Sequence, residues 1–188
     1  MRRRLHPLLL LGLLSAAPMA WPADFAIDTG RSHAEFAVRL LWLHNVKGRF
    51  TQIDGTVKLD PQGLATVDAR IATDSVTMHS ERFRQWMMGP EFFDAGRYPT
   101  IHFLSEPVPL TRLTTGGTLA GQLSLRGVSR PVRFELLPED CRSLATATCK
   151  IEARGFISRS AFGMTSHQAA LSDHVRLAMM IVLAPAPK

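Results

Sequence analysis

Cysteine is scarce in this 188-residue chain, which holds two, and tyrosine occurs once. Charge never gathers into a run of one sign in the body of the chain, where arginines and acids are interspersed. Nucleic-acid binding therefore lacks its electrostatic footprint. No Cys-x-x-Cys, His-x-His or His-Glu-x-x-His spacing occurs. The histidines His33, His44, His79, His102, His167 and His174 are scattered, so the sequence itself supplies no metal site. There is no Gly-x-Ser-x-Gly elbow and no phosphate-cradling glycine loop. Ser172-Asp173-His174 has the letters of a catalytic triad, but adjacent strand residues point to opposite faces and cannot share a site. Catalysis has no sequence support. No cofactor requirement is expected either.

What is present begins with the N-terminus. Arg2, Arg3 and Arg4 precede the apolar run Leu8 to Leu14, and the small residues Ser15, Ala16, Ala17 and Ala20 follow. This order reads as a cleavable secretory signal over residues 1–20, cut after Ala20 or Ala23. The run is too short for a membrane span, which takes about 20 apolar residues, so no integral span is expected. The leader holds three arginines and no acid, and its removal takes the net charge from +6 to +3. Cys141 and Cys149 form an even pair between two strand-like runs, where a structural disulfide would contribute roughly 2.5 kcal/mol on the chain-entropy model.

The remaining length, 24–184, suits one domain. It reads as strand after strand. Ala34, Phe36, Val38 and Leu40 alternate with polar neighbours, as do Ile53, Val57 and Leu59, then Val67, Ala69 and Ile71. Leu119, Leu123 and Leu125 continue the theme, followed by Val132, Phe134 and Leu136, by Ile151, Ala153 and Ile157, and by Val175, Leu177, Met179 and Ile181. Asp60-Pro-Gln-Gly63 is a turn. Glycines Gly48, Gly55, Gly121 and Gly155 within or beside strands are expected at bulges or bends. The pattern predicts an all-β antiparallel sandwich or barrel of about eight strands.

One stretch departs from it. Within Asp74 to Ser105 the sequence predicts a short helix near residues 80–88. Ser80 is its N-cap, Phe83, Trp86 and Met87 share one face, and Gly89-Pro90 is the stop. Such an insert either caps a cavity or merely closes a core; both readings stand. The inward side chains pose the same choice, because they either line a channel or fill it.

Several short motifs occur in a fixed order: Ser32-His33-Ala34-Glu35-Phe36, Val46-Lys47-Gly48-Arg49-Phe50, Asp74-Ser75-Val76, Phe92-Phe93-Asp94-Ala95, Tyr98-Pro99-Thr100-Ile101, Gly121 to Val128, and Ser158-Arg159-Ser160-Ala161-Phe162-Gly163. In this order they resemble the YceI-like family of exported, lipocalin-like polyisoprenoid-binding proteins, from about Phe25 to Leu183. The resemblance implies an up-and-down barrel in the periplasm with an isoprenoid lipid, of quinone or polyprenyl type, as ligand and partner. On that reading Phe36, Phe50, Phe103, Leu123, Phe134, Leu177 and Met179 line the channel, while Trp86, Phe92, Phe93, Arg159 and Phe162 form its lid or mouth. The protein is then a non-enzymatic carrier. Its oligomeric state is open, a homodimer included. Two rivals remain: a stress-related structural or interaction protein whose barrel is self-filled, and an enzyme on such a lipid, with Asp74, His79 or Arg159 as the nearest polar groups.

Overall fold

The computed structural model describes residues 24–41, 43–138 and 149–185. The leader expected over 1–20 and the Cys141 end of the expected disulfide lie outside them. The strands are β1 (Phe25–Ile27), β2 (His33–Leu40), β3 (His44–Phe50), β4 (Ile53–Leu59), β5 (Leu64–Ala72), β6 (Val76–Met78), β7 (Thr100–Ser105), β8 (Val108–Pro109), β9 (Gly117–Leu125), β10 (Val128–Leu136), β11 (Cys149–Ser158) and β12 (Leu171–Pro185). Helices α1 (Glu81–Met88) and α2 (Arg112–Thr115) are the two α-helices among the described residues.

Twelve strand segments make eight staves. β1 and β2 are one stave broken at 28–32, β3 and β4 one broken at 51–52, β5 and β6 one broken by the 3-10 turn Thr73–Ser75, and β7 and β8, both paired with β5, one broken at 106–107. Among the first three, both halves of each pair with both halves of the next: β2 with β3 and β1 with β4, then β3 with β6 and β4 with β5. The pairing continues β5–β7–β9–β10–β11–β12, and β12 closes the ring by pairing with β2 over 171–180 and with β1 over 183–185. The result is a closed antiparallel up-and-down barrel of eight staves, the one of the two architectures left open by the alternation that the family resemblance implies. Two-residue periodicity is the cause: along β9, Leu119, Gly121, Leu123 and Leu125 are buried, and along β11 every second residue from Cys149 to Ile157 is.

Backbone groups orphaned at the breaks are satisfied by buried hydroxyls. Ser75 Oγ accepts from the Gln52 N–H at 3.2 Å and donates to the Ala72 carbonyl at 2.7 Å. Thr73 Oγ1 donates to the Tyr98 carbonyl at 2.9 Å, and Ser32 Oγ accepts from the Val182 N–H at 3.0 Å. Where β7 ends, Ser105 Oγ accepts from the Val67 N–H at 2.8 Å. All four hydroxyl residues are buried. Left unpaired, each such group would cost about 1–3 kcal/mol.

The two ends of the barrel differ. At one, the Asp60–Gly63 turn forms as the sequence predicts, with the Asp60 carboxylate accepting from Gln62 and Leu64 N–H groups. There α2 pushes the buried Leu113 into the end of the barrel. At the other end lie the β2–β3 tip, the segment 79–99 with α1, the β9–β10 turn and the 159–170 loop. α1 starts where the sequence puts it, and Ser80 Oγ accepts from the Phe83 N–H at 3.4 Å. Gly89 ends it at an ordinary φ of −72°, so Pro90, rather than any special freedom of glycine, makes the stop.

Candidate ligand cavity

Inside the barrel is a void of about 150 Å³ with a wholly apolar wall. Phe36, Phe50, Phe103, Leu123, Phe134, Leu177 and Met179 all line it, contributed by six of the eight staves. The rings do not meet at the centre. Phe36, Phe50 and Phe93 form a trio with centroids 5.4–5.8 Å apart, and Phe103 stands edge-on to Phe134 at 5.2 Å. These are the separations that aromatic pairs favour.

Glycine explains why the rings lie against the wall. A Cβ on Gly48 would sit 2.4 Å from the Phe36 ring, one on Gly121 2.7 Å from that of Phe103, and one on Gly155 2.6 Å from that of Phe134. Each ring occupies space that a side chain on the neighbouring strand's glycine would need. The expectation of bulges at these glycines is therefore corrected for three of them; they are recesses for rings. Gly55 alone of the four has a left-handed φ, +142°, and its Cβ would run into the Asp68 carbonyl.

The lid residues are divided. Phe92 and Phe93 face the void, with Met87 of α1 beside them. Phe93 lies deeper than a gate, among the rings of Phe36 and Phe50. Trp86, expected at the lid or mouth, does not reach the void. It packs on the outer side of Phe92 at 4.7 Å and on the His167 ring at 5.1 Å. Its Nε1 donates to the Glu91 carboxylate at 3.3 Å, and His167 Nε2 is 3.0 Å from the same oxygen. These bonds hold the Glu91 carboxyl below its usual range, His167 contributing most. Glu91 and His167 thus clip the segment after α1 to the 163–170 loop.

Phe162 does not line the void either. It is buried outside it, in the seam above the short β10–β11 pairing, where only 134–136 and 153–155 are matched. Arg159 is 2% exposed and lends only its aliphatic stem to the wall. Its guanidinium points into the loop, donating to the carbonyls of Ser172, Ser166, Met164 and Leu171. It holds the loop's shape. Asp74 and His79 are exposed and off the cavity, so the polar pair that an enzyme would need at the mouth does not come together from these residues. The Asp173 carboxylate accepts from the Ser160 N–H at 2.8 Å. Burial tends to raise its pKa, but hydrogen bonds from Ser160 and Ser158 outweigh that and lower it. Ser172-Asp173-His174 has no triad geometry. Among the described residues no cluster of three His, Cys, Asp or Glu stands close enough to hold a metal ion, and no helix is long and apolar enough to cross a membrane.

Sequence reasoning missed Leu113, Met87 and Met164 on the wall. Met87 carried a signal, since it shares the helical face with Phe83 and Trp86. Leu113 had only a three-residue spacing from Leu110, and Met164 had none.

Comparison with known proteins places the fold. A UPF0312 protein of Yersinia enterocolitica is 31% identical over 184 residues, covering 92% of this chain and 94% of its own. Burkholderia cenocepacia BcnA superposes with a TM-score of 0.70 at 20% identity, over 83% of this chain and 98% of its own. A polyisoprenoid binding domain from Saccharophagus degradans does so with a TM-score of 0.63 at 15% identity, over 87% and 99%. The YceI-like domain model matches residues 25–183, nearly the whole described barrel, and this chain belongs to that family.

Proposed function

We propose that this protein is an exported, non-enzymatic binding protein for an isoprenoid lipid of quinone or polyprenyl type, whose tail lies in the barrel. The observation that carries this reading is the enclosed, wholly apolar void held open by ring-over-glycine packing. A buried carbonyl or phosphate would find no partner on such a wall and would lose about 1–3 kcal/mol or more. The head group therefore stays at the lid end and only hydrocarbon enters. Apolar burial supplies the affinity at about 25 cal/mol per Å². The Saccharophagus neighbour, described as polyisoprenoid binding, supports the ligand class. The leader over 1–20 supports delivery to the periplasm, where Cys141 and Cys149 would pair. No cofactor is needed to hold a hydrocarbon.

A void of about 150 Å³ accepts a benzene-sized molecule as it stands. A chain of several isoprene units needs more room, so the lumen widens on loading. Met87, Met164 and Met179, unbranched and pliable, are the wall residues that give way. The narrow void also favours a second reading, a self-filled interaction barrel. One experiment separates the two. Protein exported in its host is purified, weighed intact under native conditions, then extracted with solvent and the extract identified by mass spectrometry. An isoprenoid at near one per chain is the expected result; empty protein that takes up no added prenyl lipid would leave the self-filled barrel standing.

A further inference from the structure

The most exposed large apolar side chain among the described residues lies at the lid end. Leu43, at the tip of the β2–β3 hairpin, is 82% exposed, and Leu41 is 56% exposed. Leu41 also has a left-handed φ of 49°, which is costly for leucine. A strained, solvated leucine pair is unfavourable in water alone, and strain of this kind persists where the surroundings use it. The tip is tied to the cavity's cover. The Leu41 N–H donates to the Ala170 carbonyl at 2.7 Å, Leu40 pairs with the lining residue Leu171, and the same 163–170 loop carries His167 against Trp86 and Phe92. From Phe36 to Phe50 the hairpin has Arg39, Lys47 and Arg49 and no carboxylate. Arg49 is paired with Glu35, while Arg39 and Lys47 are exposed and make no ion pair among the described residues.

We infer that this hairpin docks the lid end onto a lipid bilayer with an anionic surface. Leu41 and Leu43 enter the acyl boundary, and Arg39 and Lys47 meet head-group phosphates with their stems along the apolar layer. A second copy of the chain is a poorer occupant, since a stable pair buries about 800 Å² per partner and two leucines on a convex tip offer far less. A bilayer needs no matching shape. The inference rests on the lumen being a lipid site, because docking there presents the lid to the membrane holding the ligand.

The test is flotation of the exported protein with phosphatidylcholine vesicles, with and without phosphatidylglycerol, alongside retention of farnesol in the lumen. Wild type is expected to float, more with phosphatidylglycerol and less at high salt. The pair L41S/L43S should lose roughly tenfold or more in vesicle affinity while keeping circular dichroism and farnesol retention. R39Q/K47Q should lose only the phosphatidylglycerol increment. Wild type that stays with the soluble fraction, L41S/L43S that floats as well as wild type, or a tip pair whose loss only dissolves a dimer in sedimentation would each overturn the docking. Failure of farnesol retention with flotation intact would instead strike the lipid-site reading.

Discussion

Phe36, Phe103 and Phe134 owe their positions to what their neighbours lack. Gly48→Ala or Gly155→Ala would place a methyl 2.4–2.6 Å from a ring carbon, forcing the ring toward the lumen at a cost of about 1–3 kcal/mol. Urea denaturation should show the loss, and bound lipid should fall with it. Gly96→Ala, with nothing within 4 Å of its added methyl, is the control and should stay within a few tenths of a kcal/mol. If Gly48→Ala is as harmless as Gly96→Ala, the recess does not position the ring. The inward set of phenylalanines was legible because strand alternation is local. Their glycine partners were not, since register joins residues from different strands and a strand glycine looks alike whether it bends the chain or receives a ring.

For α1 and its flanks, start and stop could be read directly, because capping acts across three residues. That Trp86 packs outside the void could not, since that depends on His167, distant in sequence. The clip gives the lid a pH dependence with a definite sign. The folded Glu91 carboxyl sits below its ordinary 4.5. Its contribution is therefore complete above that value and disappears as pH falls through the lower, folded one. Trp86 emission should shift toward that of solvated indole on acidification below 4.5, and Glu91→Gln should already show a weakened, flatter profile. An identical acid transition in wild type and Glu91→Gln would rule the clip out as its cause. Arg159 shows the opposite limit: its motif was visible, yet its role in holding carbonyls of the 163–172 region depends on a loop path that no local pattern encodes.

Across the whole molecule, the alternating runs and their approximate number were countable, but closure was not, since a sandwich and a barrel share that local pattern and only the ordered family motifs favoured the barrel. The doubling of four staves into eight segments was invisible, because polar residues at the breaks resemble ordinary surface positions. Ser32, Thr73 and Ser75 are instead buried and satisfy the orphaned backbone. Amides at 51–52 and 73–75 should therefore exchange with deuterium faster than those of β9 and β12, and slow when lipid is bound. Uniform protection around the ring, unchanged by ligand, would contradict this. The interruptions fall on four adjacent staves, from β1/β2 to β7/β8, while each strand of the opposite wall, from β9 to β12, runs unbroken. Such a vessel has a creased front and, at its back, a single slack seam between β10 and β11. On the proposed lipid-binding reading, cargoes of different girth are accommodated by flexing along these lines, with the closure on β12 left sealed.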